Sequence, residues 1–337
     1  MSGSRIDAAL DQGLLPAGEG LRVLVLGAGA GHPLCAAYSA ARYVQPQQPD
    51  HDRMAAAGLR VGPDLTDATG PFDLAVIALP RARALGHAWA AAAAARLTPD
   101  GVFAVDGAKT DGVDSLFRAL RGRLQCAASL TKAHGRLFAG RVGNDRLADM
   151  APDEMQAAPG FRTAPGVFSA DGIDPGSVAL AAALPPDLAG AVADLGAGWG
   201  WLSAQILAHD RVTALHMVEA DHAALQAARA NVTDARAVLH WSDATAWQAP
   251  APLDAVVMNP PFHTGRAADP ALGRSFIGAA ARVLGPRGAL WLVANRHLPY
   301  EATLESLFAE WRMVDTPPGF KILHATRPRT ARNGARP

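Results

Sequence analysis

The sequence is poor in cysteine, in net charge and in long apolar runs. Its two cysteines, Cys35 and Cys126, lack metal-ligand spacing, which argues against a disulfide scaffold and a cysteine-based metal centre. The histidines are scattered, so the sequence predicts no metal site. The net charge is zero, with 31 basic and 31 acidic residues, whereas proteins that bind RNA are more often basic.

No segment predicts attachment to a membrane. The first residues lack the apolar core of a signal peptide, and the alanine-rich stretch 88–95 is too short to span a bilayer and ends before Arg96. We therefore expect a cytoplasmic protein with reduced cysteines, with no membrane partner and no metal, acting as a monomer. Its 337 residues, half of them hydrophobic, predict two domains.

The most informative feature is Asn259-Pro260-Pro261-Phe262, which follows the apolar run 255–258. Such a run predicts a buried parallel strand, and the two prolines force an exposed loop at its carboxyl end, where open α/β sheets bind ligands. The Asn259 side-chain carbonyl and a neighbouring backbone carbonyl could accept both hydrogens of a planar amino group. The aromatic ring could stack on the ring that carries this amine. For the tetrapeptide alone, an ordinary proline-rich turn is the alternative.

Three strand ends upstream carry further candidate residues. A strand leads into a G-x-G-x-G turn at 196–200 that opens a helix, where glycines let the backbone approach a ligand closely. The next strand ends at Glu219, at the distance expected of an acid that binds ribose hydroxyls, and the following one ends at Asp243, which could accept a bond from an adenine amine. Each acid alone is more simply a solvated carboxylate. The informative feature is the order of the glycine turn, the two acids and the N-P-P-F motif, each at a strand end.

That order resembles the class I S-adenosylmethionine (SAM)-dependent methyltransferases that methylate amino groups. N-P-P-F-H at 259–263 is similar to the motif of bacterial ribosomal RNA guanine-N2 methyltransferases. G-V-F-S and D-x-G-S within 166–177, the strand and turn at 292–300 and F-K at 320–321 resemble further parts of that family. The resemblance covers 166–327, with the small-subunit (16S) type most similar and the large-subunit type close behind.

The resemblance implies an α/β fold of two tandem Rossmann-like class I methyltransferase domains, the first degenerate. The first half repeats the strand and glycine pattern at 21–31 and an apolar strand at 72–80, but it lacks the acids, and Leu79-Pro80-Arg81 replaces N-P-P-F. We expect a degenerate domain at 1–142 for RNA recognition or support, a linker at 143–165, a catalytic domain at 166–330 and a basic tail at 331–337. Binding of a different nucleotide by the first half is the alternative.

The implied activity is methylation of the exocyclic N2 amine of a guanine, with SAM as methyl donor and ribosomal RNA or a ribosomal subunit as partner. The predicted catalytic residues are Asn259, Pro260 and Phe262, and the predicted substrate contacts are Pro261, Phe262 and His263. The predicted donor-binding residues are Phe168, Ser169, Asp194, Gly196, Ala197, Gly198, Gly200, Glu219, Ala220, Asp243, Ala244 and Asn259. Of these, Phe168 and Ser169 would form a lid over the donor.

Basic residues offer candidate phosphate contacts, although a solvated surface is the alternative. They form a first group, Arg118, Arg121, Arg123, Lys132, His134, Arg136 and Arg141, and a second group, Lys321, Arg327, Arg329, Arg332 and Arg336. Two other functions stay open. One is methylation of another amine, such as adenine N6 or a protein glutamine, whose sites usually carry Tyr after the prolines. The other is a non-catalytic RNA-binding or ribosome-assembly factor.

Overall fold

The computed structural model describes residues 4–18, 20–261, 270–314 and 318–329. These residues form two compact units, Met1–Met155 and Gln156–Pro337. The division falls inside the segment 143–165. Arg123 pairs there with Asp145 and Asp149 of the first unit, whereas the backbone of Arg162 bonds to the second unit.

The first unit is an α/β layer structure around a seven-stranded sheet. Its strands are β1 (Val23–Leu26), β2 (Arg42–Val44), β3 (Arg60–Gly62), β4 (Phe72–Ala78), β5 (Leu97–Ala108), β6 (Leu124–Lys132) and β7 (Gly135–Val142). They lie in the order β3-β2-β1-β4-β5-β7-β6, and only the pairings of β7 are antiparallel. Its helices are α1 (Arg5–Asp11), α2 (Pro33–Ala37), α3 (Gln48–Ala56), α4 (Arg83–Ala95) and α5 (Val113–Leu120).

The second unit starts with a two-stranded ribbon and repeats the same sheet. The ribbon strands are β8 (Met155–Ala158) and β9 (Phe161–Thr163). The sheet strands are β10 (Gly190–Leu195), β11 (Val212–Glu219), β12 (Ala237–Trp241), β13 (Leu253–Met258), β14 (Leu284–Asn295), β15 (Phe308–Val314) and β16 (Phe320–Pro328). The helices are α6 (Pro175–Ala183), α7 (Trp201–Leu207), α8 (His222–Asn231), α9 (Pro270–Val283) and α10 (Glu301–Leu307).

The second sheet has the order β12-β11-β10-β13-β14-β16-β15, which is the order of the first sheet strand for strand. The predicted duplication and the α/β fold class are therefore confirmed. The central strands are apolar throughout because helices cover both faces of the sheet. In β1, for example, Leu24 and Leu26 enter one core and Val23 and Val25 enter the other.

The topology of the second sheet determines where a ligand can bind. Strand β10 lies between β11 and β13, so the chain leaves β10 for one side of the sheet and later returns on its other side. The carboxyl ends of β10 and β13 therefore border the crevice at which ligands bind in such sheets. The glycine turn follows β10 and Asn259 follows β13, so the fold places both at this crevice.

The longest helix among the described residues is α9, with 14 residues, and none of the described helices could cross a membrane.

Two glycines of α9 predict opposite responses to the same substitution. A Cβ at Gly273 would lie 1.9 Å from the Tyr300 hydroxyl oxygen, whereas a Cβ at Gly278 would meet nothing within 4 Å. Gly273→Ala should destabilise the protein by about 1–3 kcal/mol through overpacking. Gly278→Ala should stabilise it by about 0.5–1 kcal/mol, because Ala is the better helix former. Urea unfolding of both variants tests this, and equal effects of the same sign would contradict the packing described for α9.

Candidate active site

The crevice between β10 and β13 contains a cleft that is open to solvent. Asp194 of β10 lies beside Val257 of β13, so the segments after these strands emerge side by side. Six of the predicted site residues line the cleft, namely Phe168, Ser169, Gly196, Ala197, Gly198 and Asn259. The structure thus brings the lid, the glycine turn and the asparagine together.

The amide of Asn259 has a defined orientation. Its Nδ2 donates to Asp174 Oδ2 at 2.7 Å and to Ser177 Oγ at 2.8 Å. A carboxylate only accepts hydrogen bonds, so the nitrogen side of the amide must face Asp174. Asn259 Oδ1 consequently faces the other way, and it is buried without a hydrogen-bond partner among the described residues. A donor group of a ligand would satisfy this oxygen.

The glycine turn after β10 depends on left-handed backbone. Gly196, Gly198 and Gly200 have φ values of 83°, 56° and 90°, in the left-handed region that residues with a side chain rarely adopt. A Cβ at Gly200 would also lie 2.9 Å from Val232 Cγ2, so helix α8 packs closely only because this residue is glycine. The turn exposes backbone N–H groups, and that of Gly198 donates to Glu219 Oε2 at 2.8 Å.

Glu219 stands at the end of β11, as predicted, and its carboxylate is held from two sides. The N–H of Asp221 donates to Glu219 Oε1 at 2.8 Å, while Gly198 holds the other oxygen. Burial raises the pKa of this carboxyl, and the two backbone donors oppose the rise. Each oxygen keeps a second lone pair, so the fixed carboxylate can accept a pair of ligand hydroxyls.

Asp194 is fully buried beneath the glycine turn. Its Oδ2 accepts from Ser203 Oγ at 2.6 Å, and its Oδ1 has no hydrogen-bond partner among the described residues. Burial raises the pKa of Asp194 to about 7; the charge of Glu219 adds to the rise and the Ser203 hydroxyl opposes it. The unpartnered Oδ1 of Asp194 and the fixed carboxylate of Glu219 suit a ligand that carries an ammonium group and a ribose, as SAM does. Neither residue is among those that line the cleft, so these contacts stay predictions.

The predicted donor-binding residues Ala220, Asp243 and Ala244 are not among the residues that line this cleft. Asp243 follows β12, and its Oδ1 accepts from the N–H and the hydroxyl of Thr245, which shapes the turn. Ala244 is buried, and the carbonyl of Ala220 accepts from the indole of Trp241 at 2.8 Å. The adenine contacts of Asp243 and Ala244 and the donor contact of Ala220 stay predictions.

Phe168 and Ser169, the predicted lid, are held by different partners. The indole N–H of Trp199 donates to the Phe168 carbonyl at 3.1 Å, while the Phe168 ring remains 61% exposed. Ser169 is left-handed, with φ 53°, and its hydroxyl donates to the Gly172 carbonyl at 2.8 Å. Trp199 is buried and packs against Phe161. It therefore connects the glycine turn to the segment that contains Phe161 and Phe168.

The remaining predicted residues belong to the loop after β13. Pro260 is buried and Pro261 is exposed. Phe262 and His263 lie outside the described residues, so their predicted roles stay predictions. Within the described ranges, no group of three or more His, Cys, Asp and Glu side chains is placed to hold a metal ion.

Asp174 and Ser177 are the site residues that sequence reasoning missed. Both belong to the D-x-G-S segment, where an Asp before a proline indicates only a helix cap. The cap is present, since Asp174 Oδ2 accepts from the Ser177 N–H at 2.7 Å. The contact of both residues with Asn259 joins positions 85 and 82 residues apart in the chain, which no local pattern reveals.

The first unit has the same backbone at this place without the same chemistry. Gln45 stands where Glu219 stands, and its Oε1 accepts from the N–H two residues later, at Gln47, as Glu219 accepts from Asp221. The second polar atom of the side chain differs. Gln45 Nε2 donates to the Ala28 carbonyl at 3.0 Å, whereas Glu219 Oε2 accepts from the Gly198 N–H. A neutral amide thus replaces the acid predicted to bind the ribose and preserves the turn.

The glycine turn of the first unit is occupied from within. Asp50 Oδ1 accepts from the Ala30 N–H at 3.2 Å, and a Cβ at Gly29 would lie 3.3 Å from the same oxygen. By strand register, Ala78 stands at the position of Asn259. These replacements agree with a degenerate first domain.

The buried acid at the site predicts a pH dependence of stability. Because the pKa of Asp194 is about 7 in the fold and 3.8 as the ordinary value, the folded state binds more protons between these pH values. The stabilising contribution of the protonated Asp194 is therefore complete below pH 4 and is lost as the pH rises to 7. Asp194→Asn should raise the melting temperature relative to wild type, and the difference should grow from pH 4 to 7. The corresponding gain in the free energy of unfolding is roughly a few kcal/mol at most.

Thermal unfolding across this range tests the assignment. Asp234→Asn is the matched control, because Arg236 lowers the pKa of Asp234 to about 2 and its effect should be constant above pH 5. A pH-independent difference between Asp194→Asn and wild type would contradict the raised pKa.

Comparison with known proteins also indicates a methyltransferase. The family model described as "Methyltransferase small domain" matches residues 159–324. A "Ribosomal RNA small subunit methyltransferase C" of Shewanella sp. (strain MR-7) is 30% identical over 250 residues, which is 71% of this chain and 72% of that protein. The Hahella chejuensis protein of the same name is 34% identical over 185 residues, covering 54% of this chain and 53% of its own.

A solved structure matches both units. The T. thermophilus 16S rRNA N2 G1207 methyltransferase, in complex with AdoMet and guanosine, superimposes with a TM-score of 0.80. It is 26% identical, and the match covers 96% of this chain and 92% of that one. With this fold, this site and these relatives, the chain belongs to the ribosomal RNA small subunit methyltransferase C family.

Proposed function

We propose that this chain transfers the methyl group of SAM to the exocyclic N2 amine of a guanine in small-subunit ribosomal RNA. The observation that carries the proposal is the Asn259 amide, whose nitrogen is bound by Asp174 and whose buried oxygen has no partner among the described residues, at a residue that lines the cleft together with the glycine turn. The T. thermophilus relative, solved with AdoMet and guanosine, supports the same pairing of donor and acceptor.

The donor is held by the segments after β10, β11 and β12. The buried carboxylate of Asp194 and the glycine turn hold the methionine part, Glu219 accepts from the ribose hydroxyls, and Asp243 with Ala244 binds the adenine. SAM supplies a methyl group on a positively charged sulfur, which makes that carbon electrophilic. Phe168 and Ser169 close the cleft above it and exclude water.

The acceptor is held by the loop after β13. The target guanine leaves its stack to reach the cleft, which costs a few kcal/mol. Asn259 Oδ1 and the Pro260 carbonyl accept the two N2 hydrogens, and Phe262 stacks on the base. Fixing both hydrogens directs the N2 lone pair at the methyl carbon, so most of the catalysis is positioning. No strong base is required, because the nitrogen becomes acidic only after it has been methylated, and His263 shapes the RNA pocket.

The first domain serves RNA recognition and support rather than chemistry. We place the domains as the sequence suggests, with catalysis after residue 166 and the basic tail 331–337, which lies outside the described residues, as an additional RNA contact. The chain acts as a monomer in the cytoplasm, where its ribosomal substrate is made.

The structure changes which basic residues are good candidates for phosphate contacts. Arg123 is bound by Asp145 and Asp149 at 2.5 and 2.6 Å, and Arg136 is bound by Asp114 at 2.7 Å. Their charges are already neutralised.

Lys321 is also excluded as a phosphate contact, because it is buried and paired with Glu301. Arg118 and Arg121 are exposed, and within the described ranges no ion pair engages either of them.

Asn259→Ala should abolish methyl transfer and leave SAM affinity nearly unchanged. The side chain acts on the acceptor amine, so its loss lowers turnover without weakening donor binding. The assay incubates each protein with 16S rRNA and labelled SAM and identifies the methylated nucleoside by mass spectrometry, with calorimetry for SAM. Wild type should yield N2-methylguanosine, and a different product would overturn the proposal. More than about a tenth of wild-type turnover in Asn259→Ala, a loss of only ~1.4 kcal/mol, would contradict the role of Asn259.

Arg118→Ala with Arg121→Ala should weaken RNA binding and reduce the salt slope of its affinity by about two, since each lost phosphate contact removes about one. The matched control is Arg123→Gln, which removes a charge that is already paired and should leave the slope at its wild-type value. Filter-binding titrations at several salt concentrations give the slopes. If the double variant keeps the wild-type slope, this surface does not contact RNA.

A further inference from the structure

We propose that Asp174, together with Ser177, is the positioning pair that sets the orientation of the Asn259 amide and thereby the basicity of the oxygen facing the target amine. This proposal rests on the proposed function. It assigns to α6, a helix outside the crevice strands, a direct part in the methyl-transfer step.

A single oxygen of Asp174 performs two tasks. Asp174 Oδ2 accepts from the Ser177 N–H at 2.7 Å, which caps α6, and from Asn259 Nδ2 at 2.7 Å. The Ser177 hydroxyl oxygen accepts the second Nδ2 hydrogen at 2.8 Å. Both hydrogens of the amide nitrogen are therefore engaged, and rotating the amide by 180° would bring its oxygen against the Asp174 carboxylate, which cannot donate. The alternative orientation is excluded by electrostatic repulsion with the Asp174 carboxylate.

The position of the carboxylate is itself fixed by packing. A Cβ at Gly176 would lie 3.0 Å from Asp174 Oδ2 and 3.3 Å from Phe320 Cε1. The backbone of Gly176 thus lies close to both the carboxylate and the Phe320 ring of β16, and a side chain at this position would press on one of them.

The charge of Asp174 also has a chemical consequence. A carboxylate that accepts from Nδ2 polarises the amide and makes Asn259 Oδ1 a stronger acceptor. During transfer the target nitrogen gains positive charge, so the stronger acceptor stabilises the transition state more than the bound substrate. Interactions of that kind raise kcat rather than lower KM.

The first unit provides an internal comparison. Helix α1 occupies the place of α6 before the first sheet strand, and its cap residues Ser4 and Asp7 bond to each other's backbone N–H groups at 3.1 and 2.7 Å. The position of Asn259 is Ala78 there. The cap pair is therefore closed on itself where no asparagine is present, and it bonds to the strand-end residue where the asparagine is present.

Two substitutions at Asp174 separate capping from positioning. Asn and Ser cap helices about as well as Asp, so α6 should remain capped in both variants. Asp174→Asn keeps an oxygen that can accept from both partners and removes only the charge. Asp174→Ser removes the reach to Asn259 as well. We expect kcat to fall about threefold in Asp174→Asn and about 100-fold in Asp174→Ser, the loss typical of a misplaced reacting group. KM for RNA and the Kd for SAM should stay within about twofold of wild type.

The experiment measures kcat, KM, SAM affinity and melting temperature for the full chain. Ser4→Ala, which removes the helix cap of α1 in the first unit, should leave kcat unchanged. A folded Asp174→Ser variant with kcat within about threefold of wild type would overturn the proposal. If Asp174→Ser does not fold, Ser177→Ala, which keeps the backbone N–H for the cap, decides together with Asp174→Asn. Wild-type kcat in both overturns the proposal.

The failure of this inference is distinguishable from that of the proposed function. If wild-type protein does not methylate guanine N2, the proposed function fails. If wild type is active and Asn259→Ala is inactive while the Asp174 variants retain full kcat, only the positioning role fails.

Discussion

A carboxylate can accept hydrogen bonds but cannot donate them, and the arrangement of this active site depends on that constraint at Asp174. The amide of Asn259 has one donating and one accepting end of nearly equal size, so packing alone does not distinguish its two orientations. The Asp174 carboxylate and the Ser177 hydroxyl bind the donating end at 2.7 and 2.8 Å. The accepting end is left without a partner among the described residues, so it can bind an amine but not a group that only accepts hydrogen bonds.

The duplicated fold shows how little of this chemistry is needed for the architecture. Both sheets have the same strand order, and both form the same turn after their second strand. In the first unit an amide, Gln45, holds that turn in place of the Glu219 carboxylate, and Asp50 lies against the glycine turn. The buried carboxylate of Asp194 in the second unit is costly to the fold, as its raised pKa indicates.

Much of the fold and part of the site could be predicted from the sequence. Apolar runs, glycine turns and strand-end acids have periods and spacings that local sequence displays, so the duplication, the turn at Gly196–Gly200 and the place of Glu219 were within reach. The contacts of Asp174 with Asn259 and of Trp199 with the Phe168 carbonyl were not, because each joins segments that only the folded sheet brings together. Ion pairs are equally difficult to predict from sequence. Arg123 is a candidate phosphate contact by sequence, but in the fold it pairs with Asp145 and Asp149.

The most direct test of the central claim is a crystal structure of this chain with S-adenosylhomocysteine and guanosine bound. The account predicts Asn259 Oδ1 within about 3.2 Å of guanine N2, with Nδ2 still bonded to Asp174 and Ser177. A complex in which N2 contacts other groups, or in which the Asn259 amide has left Asp174, would contradict it.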